Sequence, residues 1–132
     1  MKRKPKLTIV EWEIMEAIWA LGGSPSVRDV LDLAFPRGEK AYTTVQTIMN
    51  NLLGKGYLAR RKTGMVNFYT PSKSRKQVVR KETSNLVSRV FKGSVPAMAS
   101  HLLKSEDLTL EEIKGIRKLL DVRAKELGGK KP

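Results

Sequence analysis

Apolar residues along the chain recur in three blocks at helical spacing, then in a short alternating stretch, then in three more helical blocks. Trp12, Met15, Ile18 and Trp19 predict one apolar face of a first helix. Thr8 and Glu11 form a capping box at its start, and Gly22-Gly23-Ser24-Pro25 ends it. Glu11, Glu13 and Glu16 are accounted for as helix capping and a solvated face. A second box, Ser26 with Asp29, opens a short helix carrying Val27, Val30, Leu31 and Ala34, which Phe35-Pro36-Arg37-Gly38 closes. The third helix runs from about Tyr42 to Lys55, with Gly56 placed as the left-handed residue after it.

The third helix has two unlike stripes. Val45, Ile48, Met49, Leu52 and Leu53 face inward, while Thr43, Gln46, Thr47 and Asn50 face outward. The outward stripe is polar, uncharged and compact, whereas solvated helix faces usually carry Lys and Glu. It is either a neutral surface or a base-reading face. Gln and Asn can pair bidentately with adenine, and a Thr methyl can meet a thymine methyl in the major groove. Tyr42, Thr43 and Thr44 lie where a helix N-terminus would meet phosphate.

Two β-rich runs, Tyr57 to Lys62 and Val66 to Pro71, flank Thr63-Gly64-Met65 and predict a hairpin. Alternation places Val66, Phe68 and Thr70 on one face and Asn67 and Tyr69 on the other. Arg60-Arg61-Lys62 is expected at the tip, as a solvated turn or as a wing that grips phosphate. Helix, helix, helix and basic hairpin is the order of a winged helix-turn-helix. Pro71 to Lys76 is a composition break and a candidate linker.

Beyond it, Val78, Val79, Leu86, Val87, Val90 and Phe91 predict a long helix ending at Gly93. Val95, Met98, Ala99, Leu102 and Leu103 predict a short one. A third capping box, Thr109 with Glu112, opens a last helix with Leu110, Ile113, Ile116, Leu119, Leu120 and Val122. These ~50 residues are few for a self-sufficient core. Their apolar faces therefore need a second copy, or else the winged domain of the same chain. The first option assigns dimerisation to Leu86, Val90, Phe91, Met98, Leu102, Ile113, Ile116 and Leu120. The expected fold is mainly α with a small β-hairpin: a winged helix-turn-helix domain over residues 7–72 and a helical dimerisation domain over 73–127.

Charge sharpens this picture. With 26 Lys and Arg against 13 Asp and Glu among 132 residues, the chain carries +13 and favours polyanionic partners, above all nucleic acid. Double-stranded DNA is the first candidate. A structured-RNA or ribosome-associated protein is the alternative, and an interaction module with incidental charge is a third option. Cysteine is absent, so disulfides, thiolate metal sites and cysteine nucleophiles are excluded. The basic segment Met1 to Lys6 leads into no long apolar run, and no stretch approaches a membrane span of ~20 residues. The expectation is a cytoplasmic protein with no membrane contact. No paired carboxylates, Ser-His-Asp set or phosphate-cradling glycine loop is present. The chain is therefore read as no enzyme, without catalytic residues, metal ligands or cofactor. His101, the only histidine, is taken as an ordinary polar residue.

Three blocks also carry a family resemblance. They are Leu7-Thr8 with Glu11-Trp12-Glu13-Ile14-Met15 and Ile18-Trp19; Ala41 through Ile48; and Leu52-Leu53-Gly54-Lys55-Gly56-Tyr57-Leu58. The chain resembles the penicillinase repressor family over roughly Leu7 to Val122, through Tyr69-Thr70-Pro71, Phe91-Lys92-Gly93-Ser94 and Ser105 to Ile113. The resemblance implies a bacterial repressor that binds palindromic operators of TACA/TGTA half-sites as a homodimer and blocks transcription of resistance genes. It lays the DNA-contacting helix on Thr43, Thr44, Gln46 and Thr47, and the wing on Arg60 to Asn67, so that Arg60, Arg61, Lys62 and Asn67 join Tyr42 and Asn50 as DNA-binding candidates. A regulatory protease is an implied partner of the antibiotic-resistance members. Their cleaved Asn-Phe bond is replaced here by His101-Leu102, and the cysteine motif of the copper-responsive members is missing.

Overall fold

A computed structural model describes residues 6–129; the basic opening Met1–Pro5 and the tail Lys130–Pro132 lie outside them. The described residues form α1 (Ile9–Leu21), α2 (Val27–Ala34), α3 (Tyr42–Gly54), a hairpin of β1 (Leu58–Thr63) and β2 (Val66–Pro71), then α4 (Arg75–Val90), α5 (Val95–Leu103) and α6 (Leu110–Gly128). This is the mainly helical architecture with one small hairpin that the periodicity predicts. The three expected capping boxes are formed: Thr8 with Glu11, Ser26 with Asp29, and Thr109 with Glu112. The backbone amide of Thr109 holds the Glu112 carboxyl below the usual glutamate value.

The chain divides into two compact units that meet between Lys81 and Glu82, inside α4. In the first, Ile14, Met15 and Ile18 of α1, Val30 of α2, Val45, Met49 and Leu52 of α3, and Tyr69 of β2 are fully buried. Each such aliphatic side chain stabilises the fold by ~1.5–3 kcal/mol through burial alone. The buried face of α1 is rotated from the expected one: Ile14 and Ala17 join Met15 and Ile18, while Trp12 and Trp19 are only partly buried. The reason is polar. The Trp19 indole N–H needs an acceptor and donates to the Lys73 carbonyl at 3.0 Å, which holds the ring at the core's margin. Trp12 meets it edge to face at 5.9 Å.

Pro71 to Lys76, expected as a linker, is tied into this unit. Besides Lys73, Arg75 grips Glu16 through Nε to Oε1 at 2.7 Å and Nη2 to Oε2 at 3.2 Å, and Val78 lies in the core. The compact unit therefore runs past residue 72, because the first turns of α4 supply part of its apolar cover. Glu16 in turn raises the pKa of the Arg75 guanidinium.

The hairpin also departs from expectation at its tip. Thr63 pairs with Val66, so the tip is Gly64-Met65, and Arg60, Arg61 and Lys62 lie on the strand leading to it. Gly64 at φ +62° supplies the left-handed residue that a two-residue hairpin loop demands. The second unit contrasts with the first. Among its described residues only Val87 is buried, and neither α5 nor α6 has a buried residue.

Candidate nucleic-acid interface

The interface candidate is built on α3. Its inward stripe is the expected one, with Val45, Met49 and Leu52 buried and Ile48 and Leu53 partly so. That fixes the opposite stripe on the surface. Thr43, Thr44 and Thr47 are exposed, and Gln46 is partly exposed. None of these four makes a side-chain hydrogen bond among the described residues, so their donors and acceptors are free to meet a ligand. Tyr42 is also exposed and carries the Arg28 guanidinium 5.2 Å from its ring centroid.

The N-terminus of α3 begins after Ala41, which gives no side-chain cap, whereas α1, α2, α5 and α6 each have one. Its first-turn amides point out of the helix without a side-chain acceptor. Arg28 and Lys40 are basic neighbours on that side, Lys40 lying 5.8 Å from the Phe35 ring.

The antiparallel register sorts the basic residues of the hairpin. Arg60 faces Tyr69 and Lys62 faces Asn67, so these four share one side; Arg61 and Phe68 share the other. Sequence alternation separates the two faces without saying which is inward. The structure settles it: the Tyr69 amide donates to the Pro25 carbonyl at 2.9 Å, Ser26 bridges Phe68, and the Tyr69 ring is buried. Arg60 and Lys62 therefore lie on the side of the hairpin that turns toward α3. Arg60 reaches it, donating from Nη1 to Asn50 Oδ1 at 3.1 Å. Tyr69 donates its hydroxyl to the same oxygen at 2.8 Å. Asn50, expected as part of a free reading stripe, thus has its carbonyl oxygen engaged within the molecule.

A second anchor escaped the sequence altogether. Glu11, expected as a solvated cap, is buried and accepts from Lys55 Nζ at 2.7 Å, tying the start of α1 to the end of α3. Burial pushes the carboxyl pKa up, but Lys55 and the Thr8 amide outweigh it and hold it below the ordinary value of 4.5. The signal is not local, since the partners are 44 residues apart.

The remaining candidates lie in the second unit. Leu86, Val90, Leu102 and Leu120 are exposed, while Phe91, Met98, Ile113 and Ile116 are partly so. His101 packs against Phe91 with ring centroids 6.0 Å apart. Among the described residues no group of His, Cys, Asp or Glu could hold a metal ion, and no helix is long and apolar enough to cross a membrane.

Comparison with known proteins gives a consistent set of likenesses. The family model described as penicillinase repressor matches residues 7–122. The Bacillus licheniformis penicillinase repressor is 26% identical over 121 residues, covering 92% of this chain and 94% of the relative. The methicillin resistance regulatory protein MecI of Mammaliicoccus sciuri is 23% identical over 116 residues, covering 88% and 94%. The solution structure of monomeric Bacillus licheniformis BlaI in complex with the blaP half-operator is 30% identical, covers 58% of this chain and 93% of that one, and has a TM-score of 0.47.

Proposed function

Because the chain belongs to the penicillinase repressor family, we propose that it is a transcriptional repressor that binds a palindromic DNA operator as a homodimer. The first unit holds the DNA and the second joins the two copies. The observation that carries this reading is the pairing of two unlike surfaces. The neutral, compact face of α3, Thr43, Gln46 and Thr47, is free of internal hydrogen bonds, and it stands beside a hairpin whose near side carries Arg60 and Lys62. Residues of the first kind suit base edges, and those of the second suit phosphates.

In the mechanism, α3 enters the major groove and Gln46 pairs with an adenine while a Thr methyl meets thymine. The uncapped first turn of α3 takes a backbone phosphate on its amides, with Tyr42 and Thr44 beside it. Arg60, Lys62 and Asn67 hold the flanking duplex, and Arg61 reaches it from the far side of the wing. Affinity then comes from counterion release and specificity from the helix. Dimerisation is supported by the exposed apolar residues of the second unit, among them Leu119 at 71% and Leu120 at 62%, which one copy leaves in water. A two-fold dimer matches a palindromic site. Such a repressor acts in the cytoplasm. If a regulatory protease relieves repression, it meets His101-Leu102, inside α5, in place of the Asn-Phe bond of the antibiotic-resistance members.

Selection of bound fragments from random-sequence duplexes tests the proposal. Enrichment of an inverted repeat with TACA/TGTA-type half-sites is expected, together with a dimer by sedimentation. No enrichment, or equal competition by structured RNA, would overturn it.

A further inference from the structure

Asn50 falls on the outward stripe of α3 by spacing, yet its hydrogen bonds give it a different task. Tyr69 Oη and Arg60 Nη1 approach the same side-chain atom at 2.8 and 3.1 Å. A guanidinium only donates, so that atom must be the amide's oxygen, which fixes which way the amide points. A carbonyl oxygen has two lone pairs, and here both have donors. Reading adenine bidentately needs that oxygen to accept from N6 while the NH2 donates to N7. Asn50 could do so only by giving up both internal bonds. Gln46 and Thr47 carry no such obligation.

Asn50, Arg60 and Tyr69 come from three different elements, α3, β1 and β2. Tyr69 is fully buried, with its backbone amide fixed on Pro25, so its hydroxyl is presented to Asn50 from a rigid base. Arg60 is its cross-strand neighbour and is exposed. An exposed arginine loses considerable rotamer freedom when a ligand orders it. Arg60 commits one of its five N–H donors to Asn50, and the others remain for an anion.

We infer that Asn50 and Tyr69 are positioning residues that clamp the wing to α3 and hold the Arg60 guanidinium ready for a duplex phosphate, while Asn50 itself reads no base. The inference rests on the DNA-binding reading above. Ordering Arg60 beforehand lowers the entropy lost on binding, and for one long side chain that is worth roughly two- to tenfold in affinity.

The test combines Asn50→Ala, Tyr69→Phe, Arg60→Ala and the Asn50→Ala/Arg60→Ala double variant. Each is titrated against a labelled duplex carrying the TACA/TGTA inverted repeat and against its single-base-pair variants. Asn50→Ala is expected to weaken every duplex in the panel by a similar factor, roughly two- to tenfold, and to cost nothing further once Arg60 is alanine. Tyr69→Phe, which keeps the ring, should repeat that result. A changed preference at one base pair per half-site, or an undiminished loss in the Arg60→Ala background, would overturn the inference. Nitrogen-15 spectra of the free protein supply a measurement that needs no DNA. The Arg60 side-chain signal should be distinct in the parent chain and collapse toward that of a solvated arginine in Asn50→Ala and Tyr69→Phe. A signal already averaged in the parent overturns the clamp even if DNA binding stands. A distinct signal without selective duplex binding overturns the functional reading and leaves the clamp.

Discussion

Lys55→Met isolates the anchor at the far end of α3. It removes the charge 2.7 Å from Glu11 and leaves the carboxylate accepting from the Thr8 amide. Breaking a fully buried pair costs 3–5 kcal/mol, roughly, and an exposed pair contributes about 0–1. The Glu11 side chain is only 6% exposed but that of Lys55 is 29%, which puts this pair between the two limits, at about 2 kcal/mol. For a unit of this size that corresponds to a fall in Tm of roughly 8–16 °C. Both tryptophans, Trp12 and Trp19, lie in the first unit, so intrinsic fluorescence follows its unfolding directly. Glu11→Gln keeps a capping partner for Thr8 and should cost less, and the double variant should recover much of the Lys55→Met loss. The pH dependence has a definite sign. Glu11 has a folded pKa below its ordinary 4.5, so the stability it contributes is complete above that value and is lost as pH falls through the folded pKa. The gap between the parent and Glu11→Gln should therefore be constant near neutrality and close in acid. Melting of Lys55→Met within ~2 °C of the parent, or strict additivity in the double variant, would refute this account.

Other expectations concern the interface and the assembly. Gln46→Ala should cost ~1–3 kcal/mol at one base pair per half-site and relax the preference there; an equal loss on all sequences in a binding panel would put the helix elsewhere. Lys62→Ala should reduce the salt slope of binding by about 0.9, the value of one phosphate contact, and Arg61→Ala, on the opposite side of the hairpin, should reduce it less. Titrations at several salt concentrations separate the two. A chain ending at Lys81 should fold, sediment as a monomer and bind the operator weakly, whereas one ending at Thr70 should melt lower because it lacks Lys73, Arg75 and Val78.

What the sequence made legible was whatever depends on near neighbours. Capping boxes place both partners within three residues, and the inward stripe of α3 repeats every three or four. The neutral outward face was visible for the same reason. Periodicity says which residues share a face and nothing about what that face meets. Glu11 looked like a cap because its counter-charge lies 44 residues on, and Asn50 looked free because Tyr69 lies on another element. The hairpin offered Phe68 to one side and Tyr69 to the other, both able to be core. Only the pairing of β2 with Pro25 and Ser26 decides between them. Val78 similarly reads as the start of a new domain until its packing is known.

These long-range contacts have a consequence for how such a molecule can change its target. α3 is held by its buried stripe, by Lys55 at its C-terminal end and by Asn50 at its margin. None of these supports depends on Thr43, Gln46 or Thr47. Substitutions at exposed positions without internal partners usually alter stability by less than ~0.5 kcal/mol, whereas each good base contact discriminates by ~1–3 kcal/mol. If these three positions read bases as proposed, exchanging them should cost the fold little while the preferred base changes. Asn50 is bound differently. Replacing it disturbs the wing and the helix together, so a change there should alter how firmly DNA is held before it alters which DNA is chosen.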